Sequence, residues 1–232
     1  SVSNFSAVAA IMASKIVFDH RDSPILPPVN ELMSYNWTVL AEKLIKYKLV
    51  KAFVRNFWKG RAFATANDIA KYLKKEDKIL DLGAGSCQST KELKDLGFDV
   101  TPVDVVNFSA IEEIEPIIYD GKKLPFKDNS FDVTLLITVL HHTFDPVQVL
   151  KETKRVSTKI LVIEDIYETG FQKQLTHLMD SVLNIDIHGH PHTNKADHTW
   201  KEIFNKLGLK LISSKYGFFW KFFLSATYYL TK

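Results

Sequence analysis

The stretch Ile79-Leu80-Asp81-Leu82-Gly83-Ala84-Gly85-Ser86-Cys87 constrains this chain more than any other. An apolar run of strand length ends in an acid, turns through two glycines and enters a segment of helical composition. Glycine lacks the Cβ that keeps a ligand off the backbone, so such a turn lets a bound molecule lie against main-chain N–H groups. The surroundings have the matching rhythm. From about residue 76, β-rich runs alternate with helical stretches, the pattern of a mostly parallel sheet covered on both faces. Strands are predicted over 78–82, 98–104, 116–119, 131–138, 159–164, 209–216 and 222–231. The last two are separated by a short turn and must be antiparallel, because a parallel crossover needs a dozen or more residues. Asp145-Pro146 is a helix start and Gly208 a helix stop after 199–207. The expectation is an α/β, Rossmann-like doubly wound fold over residues 76–232, with an insertion at about 166–200. A helical extension is expected over 1–75, its helices spanning 31–57 and 63–73 after a break at Pro24, Pro27 and Pro28.

The charge of the turn narrows what it can hold. A dinucleotide fingerprint needs a third small residue near Gln88, where helix and strand pack, and would set a pyrophosphate on the helix N-terminus. Gln88 fits that poorly, and Asp81 would repel a pyrophosphate while attracting an ammonium group. An amino-acid-bearing cofactor, S-adenosylmethionine, is favoured over NAD. Asp104 ends the next predicted strand about twenty residues on, where a carboxylate can accept from both hydroxyls of a ribose.

These residues bring the chain to a resemblance. Ile79 to Gly85, Val103-Asp104, Tyr119-Asp120-Gly121 leading into Leu124-Pro125-Phe126-Lys127-Asp128-Asn129-Ser130-Phe131-Asp132, and Leu136 to Pro146 with its Val139-Leu140-His141-His142 core follow one another in order. The chain resembles the class I S-adenosylmethionine-dependent methyltransferases over roughly 78–165, particularly the small-molecule, ubiquinone-biosynthesis-type branch. The resemblance implies a seven-stranded sheet with an antiparallel last strand. It also implies a cofactor site in which Asp81, Gly83, Ala84 and Gly85 face the methionine part, Asp104 and Val105 the ribose, and Asp120 with Gly121 the adenine edge. Ile137 and Thr138 would line the cleft. The family often has a third glycine where this chain has Cys87. Next to that helix, Cys87 reads as a small buried residue rather than a nucleophile.

Methyl transfer chiefly requires an acceptor held in line and water excluded. A base serves hydroxyl, phenol or acidic-carbon acceptors, and His142, then His141, are the candidates at the cleft rim; the alternative is that both cap the strand or pack under the helix. Histidines also gather at His177, His188, His190, His192 and His198. They read as a lid over the substrate, with Glu164 and Asp165 reaching the same cleft, as a solvated polar loop, or as a metal site. The last has no helical His-x-x-x-His pair to anchor it, and no metal is expected.

Lys43, Lys46, Lys48, Lys51, Arg55, Lys59 and Arg61 interleave with Leu44, Tyr47, Leu49, Val50, Phe53, Val54, Phe57 and Trp58. Such a helix packs on its domain, lies on an anionic membrane or lipid, or meets RNA. RNA is the minor alternative, since no Asn/Asp-Pro-Pro-aromatic element follows the fourth strand and the net charge is only +3. One cysteine precludes an internal disulfide, no apolar run approaches a membrane span, and no targeting segment is evident, so a cytoplasmic protein is expected. The expected function is transfer of a methyl group to a small, apolar or lipid-like acceptor. The rival is a catalytically silent relative that binds cofactor or a partner through the same fold. Aromatic residues over 216–220 suit a subunit contact, and the oligomeric state stays open.

Overall fold

The computed structural model describes residues 48–170, 172, 194–219 and 223–232. Among them, helix α1 (Lys48–Ala70) leads into β1 (Lys78–Leu82), α2 (Gln88–Asp95), β2 (Asp99–Asp104), β3 (Ile117–Ile118) and β4 (Phe131–Ile137). A single 3-10 turn (Leu140–His142) and α3 (Pro146–Val156) precede β5 (Ser157–Ile166), and the chain closes with α4 (Asp197–Lys206), β6 (Lys210–Phe219) and β7 (Phe223–Thr231). The strands form one sheet in the order β3-β2-β1-β4-β5-β7-β6. Every neighbouring pair from β3 to β5 is parallel, and β7 runs antiparallel to both β5 and β6, so β7 alone is reversed. The seven-stranded, Rossmann-like sheet expected from the sequence is the one observed.

Alternation along the central strands builds two cores, one per face. Ile79 of β1, Val133 and Leu135 of β4 and Leu161 of β5 pack with Ala66 and Ile69 of α1 and with Leu93 of α2. Leu80 and Leu82, Leu136, Ile160 and Val162 point the other way, to Val149 and Leu150 of α3 and to Trp200 and Phe204 of α4. Asp145 caps α3 through its side chain, which accepts from Gln148 N at 2.9 Å, and Gly208 ends α4 with φ +64°. Tyr228 of β7 is fully buried and donates to Asp197 at 2.8 Å, tying α4 to the reversed strand.

Helices over 31–57 and 63–73 were expected; residues 1–47 lie outside the described residues, and from Lys48 to Ala70 a single helix α1 runs through the expected break, Gly60 included. Glycine in a helix interior costs about 1 kcal/mol relative to alanine; burial of Ala62, Ala66 and Ile69 in the following turns offsets that. No helix among the described residues is long and apolar enough to cross a membrane.

Candidate functional site

Open α/β sheets bind ligands beyond the carboxyl ends of their strands, where strand order reverses. Here that point lies between β1 and β4. The glycine turn after β1 is stapled to β2: Gly83 N and Ala84 N both donate to Val103 O, at 2.8 and 3.1 Å. Gly83 has φ +77°, and a Cβ there would sit 2.6 Å from Val139 Cγ2, so only glycine lets this turn pack against the turn after β4. Gly85 has φ +51° with open space where a Cβ would stand, leaving its backbone accessible. Cys87 also takes a left-handed conformation, φ +57°. Its side chain is buried against Ile111 and Ile114, and burial pushes the thiol up to about 12, so it is inert packing.

Two acids flank this turn. Asp81 is buried on the α1 and α2 side of the sheet and accepts from Thr90 Oγ1 of α2 at 2.5 Å. Burial pushes its carboxyl up to about 6 against the lowering effect of Thr90, and the charge of Asp104 adds to the rise. Asp104 accepts from Gly85 N and Val105 N, both at 2.7 Å; burial raises its carboxyl too, opposed by those N–H groups. Two partly desolvated carboxylates, the charge of Asp104 adding to the rise at Asp81, form a site for a cation. An ammonium-bearing, sulfonium-bearing ligand fits it and a pyrophosphate does not. Each Asp104 oxygen has a further lone pair for a sugar hydroxyl.

On the β3 side, Asp120 is exposed, and its Oδ1 accepts from Lys122 N and Lys123 N at 2.9 and 3.0 Å, which holds its carboxyl below the usual range. Gly121 has φ +74°, and a Cβ there would lie 3.4 Å from Val105, which is itself exposed, so the ribose and adenine candidates face one another. A clasp not foreseen from sequence holds the loop that follows. Arg155 of α3 forks onto Glu152, donates to Leu124 O at 3.0 Å and Phe126 O at 2.7 Å, and reaches Asp128, while Glu152 accepts from Leu124 N at 2.9 Å. The only sequence signal for it was the acid and base three positions apart on one helix.

The turn after β4 gathers the remaining candidates. Ile137 and Thr138 are half-buried at the strand end; Thr138 has φ +54°, unusual for a β-branched residue, and its N–H donates to Ile163 O at 2.7 Å. His141 is buried and its Nδ1 meets Glu164 Oε2 at 2.5 Å; Glu164 Oε1 also accepts from Val139 N and Leu140 N at 3.0 and 2.7 Å. Glu164, expected with the lid, is therefore completely buried beneath the turn. His142 is half-buried, its ring centroid 4.0 Å from that of His141, and Phe144 is 85% exposed beside it. Asp165 is half-buried and its backbone O accepts from Asn194 Nδ2 at 3.5 Å, whereas His198 is exposed on α4. His177, His188, His190 and His192 lie outside the described residues, within which no three metal-ligating side chains converge.

A sheet of this order with β7 reversed, and a glycine turn between two acid-tipped strands, defines the class I S-adenosylmethionine-dependent methyltransferase fold. Residues 80–159 match the family described as "Methyltransferase domain". A demethylmenaquinone methyltransferase of Corynebacterium glutamicum (strain R) is 35% identical over 123 residues, 47% of this chain and 54% of that protein. The PH0226 protein of Pyrococcus horikoshii OT3 superimposes with a TM-score of 0.60 at 21% identity, over 75% of this chain and 90% of its own. A SAM-dependent methyltransferase from Methanosarcina mazei gives 0.57 at 17% identity, over 71% and 96%. At such identities the solved structures establish the fold, and this chain spans about half the length of the relative it matches in sequence. The chain thus has the class I methyltransferase fold, and its residues 80–159 match a methyltransferase domain.

Proposed function

We propose that this protein transfers a methyl group from S-adenosylmethionine to a small, apolar or lipid-like acceptor. The observation that carries the reading is the pair Asp81, buried, and Asp104, half-buried, across a turn with open space where a Gly85 Cβ would stand. When bound, the cofactor supplies an electrophilic methyl carbon on a sulfonium sulfur. Asp81 neutralises the ammonium of its amino-acid end, Asp104 accepts from the ribose hydroxyls, and Asp120 with Gly121 and Val105 borders the adenine. Ile137 and Thr138 bound the cleft from β4. His142 is the base for an acceptor that must lose a proton as the new bond to carbon forms.

An apolar acceptor is supported by Phe144 at the rim and by the name of the Corynebacterium glutamicum relative, which specifies demethylmenaquinone. Phe53 and Phe57 of α1 stack with centroids 5.8 Å apart and are half-exposed, beside Lys51, Arg55 and Lys59, which suits peripheral contact with anionic lipid. Gln88 Nε2 donates to Val54 O at 3.1 Å, so this helix runs next to the glycine turn. We assign lid and acceptor contacts to about 166–200, including His198, together with Asp165 near the end of β5.

The test is label transfer from methyl-labelled S-adenosylmethionine, with demethylmenaquinol and an unfractionated metabolite extract as separate acceptors. Organic-extractable label that disappears in Asp104→Asn is expected. Label no higher than in heat-inactivated protein with either acceptor would reject the reading in favour of a silent binding protein.

A further inference from the structure

We propose that Glu164 is a positioning residue: acting through His141, it sets the turn after β4 in the form that presents His142 to the acceptor. The inference rests on His142 as the base, and it concerns a residue buried behind the cleft rather than one lining it. Glu164 is fully buried, and placing a carboxylate there costs several kcal/mol unless donors converge on it. Three do, from three consecutive residues: Val139 N, Leu140 N and His141 Nδ1. Charge-assisted bonds of this kind are about twice as strong as neutral ones.

The choice of an acid has a chemical consequence. An ionised carboxylate only accepts, so the imidazole proton of His141 must reside on Nδ1. The plane of the His141 ring is thereby set, and the His142 ring rests against it with a centroid separation of 4.0 Å and a tilt of 45°. The same turn holds Thr138 in a left-handed conformation, anchored to Ile163 O of β5, and presses Val139 against Gly83 of the cofactor turn. The Glu164 bonds to Val139 and Leu140 therefore hold the cofactor-side wall, and its bond to His141 reaches the base.

Glu164→Gln is nearly isosteric. Its amide oxygen still accepts from Val139 and Leu140, but its NH2 group faces Nδ1 of His141 and forces the proton to Nε2. Nitrogen-resolved imidazole NMR of the ligand-free protein is expected to show the Nδ1–H form of His141 in the wild type and the Nε2–H form in Glu164→Gln. In label transfer to demethylmenaquinol, kcat should fall tenfold or more while the cofactor Kd stays within twofold. A wild-type His141 in the Nε2–H form, an unchanged tautomer in Glu164→Gln, or an unchanged kcat overturns the proposal. Should that variant fold poorly, His141→Asn retains a donor to Glu164 and removes the ring; a wild-type kcat in it also overturns the path through His141. If demethylmenaquinol takes no label, the tautomer comparison decides alone. His142→Ala with full turnover removes the base role by itself, and Glu164 is then judged on its own tautomer shift and kcat loss.

Discussion

Replacing Asp81 by asparagine sets binding against stability, and the sign of each follows from burial. The folded carboxyl lies at about 6, above the roughly 3.9 of an unfolded chain. Between those values the folded state holds more protons than the unfolded one, so the ligand-free protein loses stability as pH rises through that window. The full difference is about 3 kcal/mol, at 1.36 kcal/mol per unit. Asp81→Asn mimics the protonated acid; its thermal midpoint without ligand should exceed wild type at pH 7.5, with the gap closing near pH 4.5, and its calorimetric cofactor affinity should drop tenfold or more. Wild-type affinity should itself weaken below about pH 6. A lower midpoint at pH 7.5 would contradict the assignment. Cys87 poses a similar question of strain. Its φ of +57° is costly for a residue with a Cβ, by about 1 kcal/mol, while its side chain fills the space by Ile111 and Ile114. Cys87→Ala keeps the strain and loses the packing; Cys87→Gly loses both. Denaturant unfolding should place Cys87→Gly above Cys87→Ala by about 1 kcal/mol.

At the scale of elements, α3 is more than a cover for the sheet. Arg155 and Glu152 hold the loop from Leu124 to Asp128 by both its carbonyl and its N–H groups, and that loop continues from Asp120 and Gly121. Arg155→Ala should cost about 2 kcal/mol, the upper range for hydrogen bonds to a charged partner, and weaken cofactor binding without moving the α3 cap at Asp145. Arg155→Lys should recover little, because an ammonium cannot reproduce the fork. Chemical denaturation and cofactor titration of the two variants, side by side, check this. Equal stability of Arg155→Ala and wild type would show that the loop is held by its own packing.

Across the whole molecule, α1 joins the sheet's second core rather than standing apart from it. Ile69 is 1% exposed and packs with Ile79, Leu93 and Leu161. Ile69→Ala should cost about 2–4 kcal/mol and shift one cooperative unfolding transition, seen alike by fluorescence and by far-ultraviolet circular dichroism. A separate early transition would instead mark α1 as an independent unit.

Much of this was written in local sequence. Strand alternation, the Asp145-Pro146 start, the Gly208 stop and the Asp81 to Gly85 turn depend on neighbours along the chain, and the observed elements follow them within a residue or two, apart from the extended C-terminal end of β6 and the unbroken α1. Periodicity and turn chemistry act at short range, so they can be read without coordinates. The two acids were legible as types at a spacing; that burial raises both was not, because desolvation belongs to the packed state. The same holds for Glu164 and for Arg155. Their partners across the fold lie twenty-odd residues or more away, and only the closing of β4 against β5, and of α3 over the loop after Gly121, decides that Glu164 is buried under a turn and that Arg155 grips the carbonyls of Leu124 and Phe126.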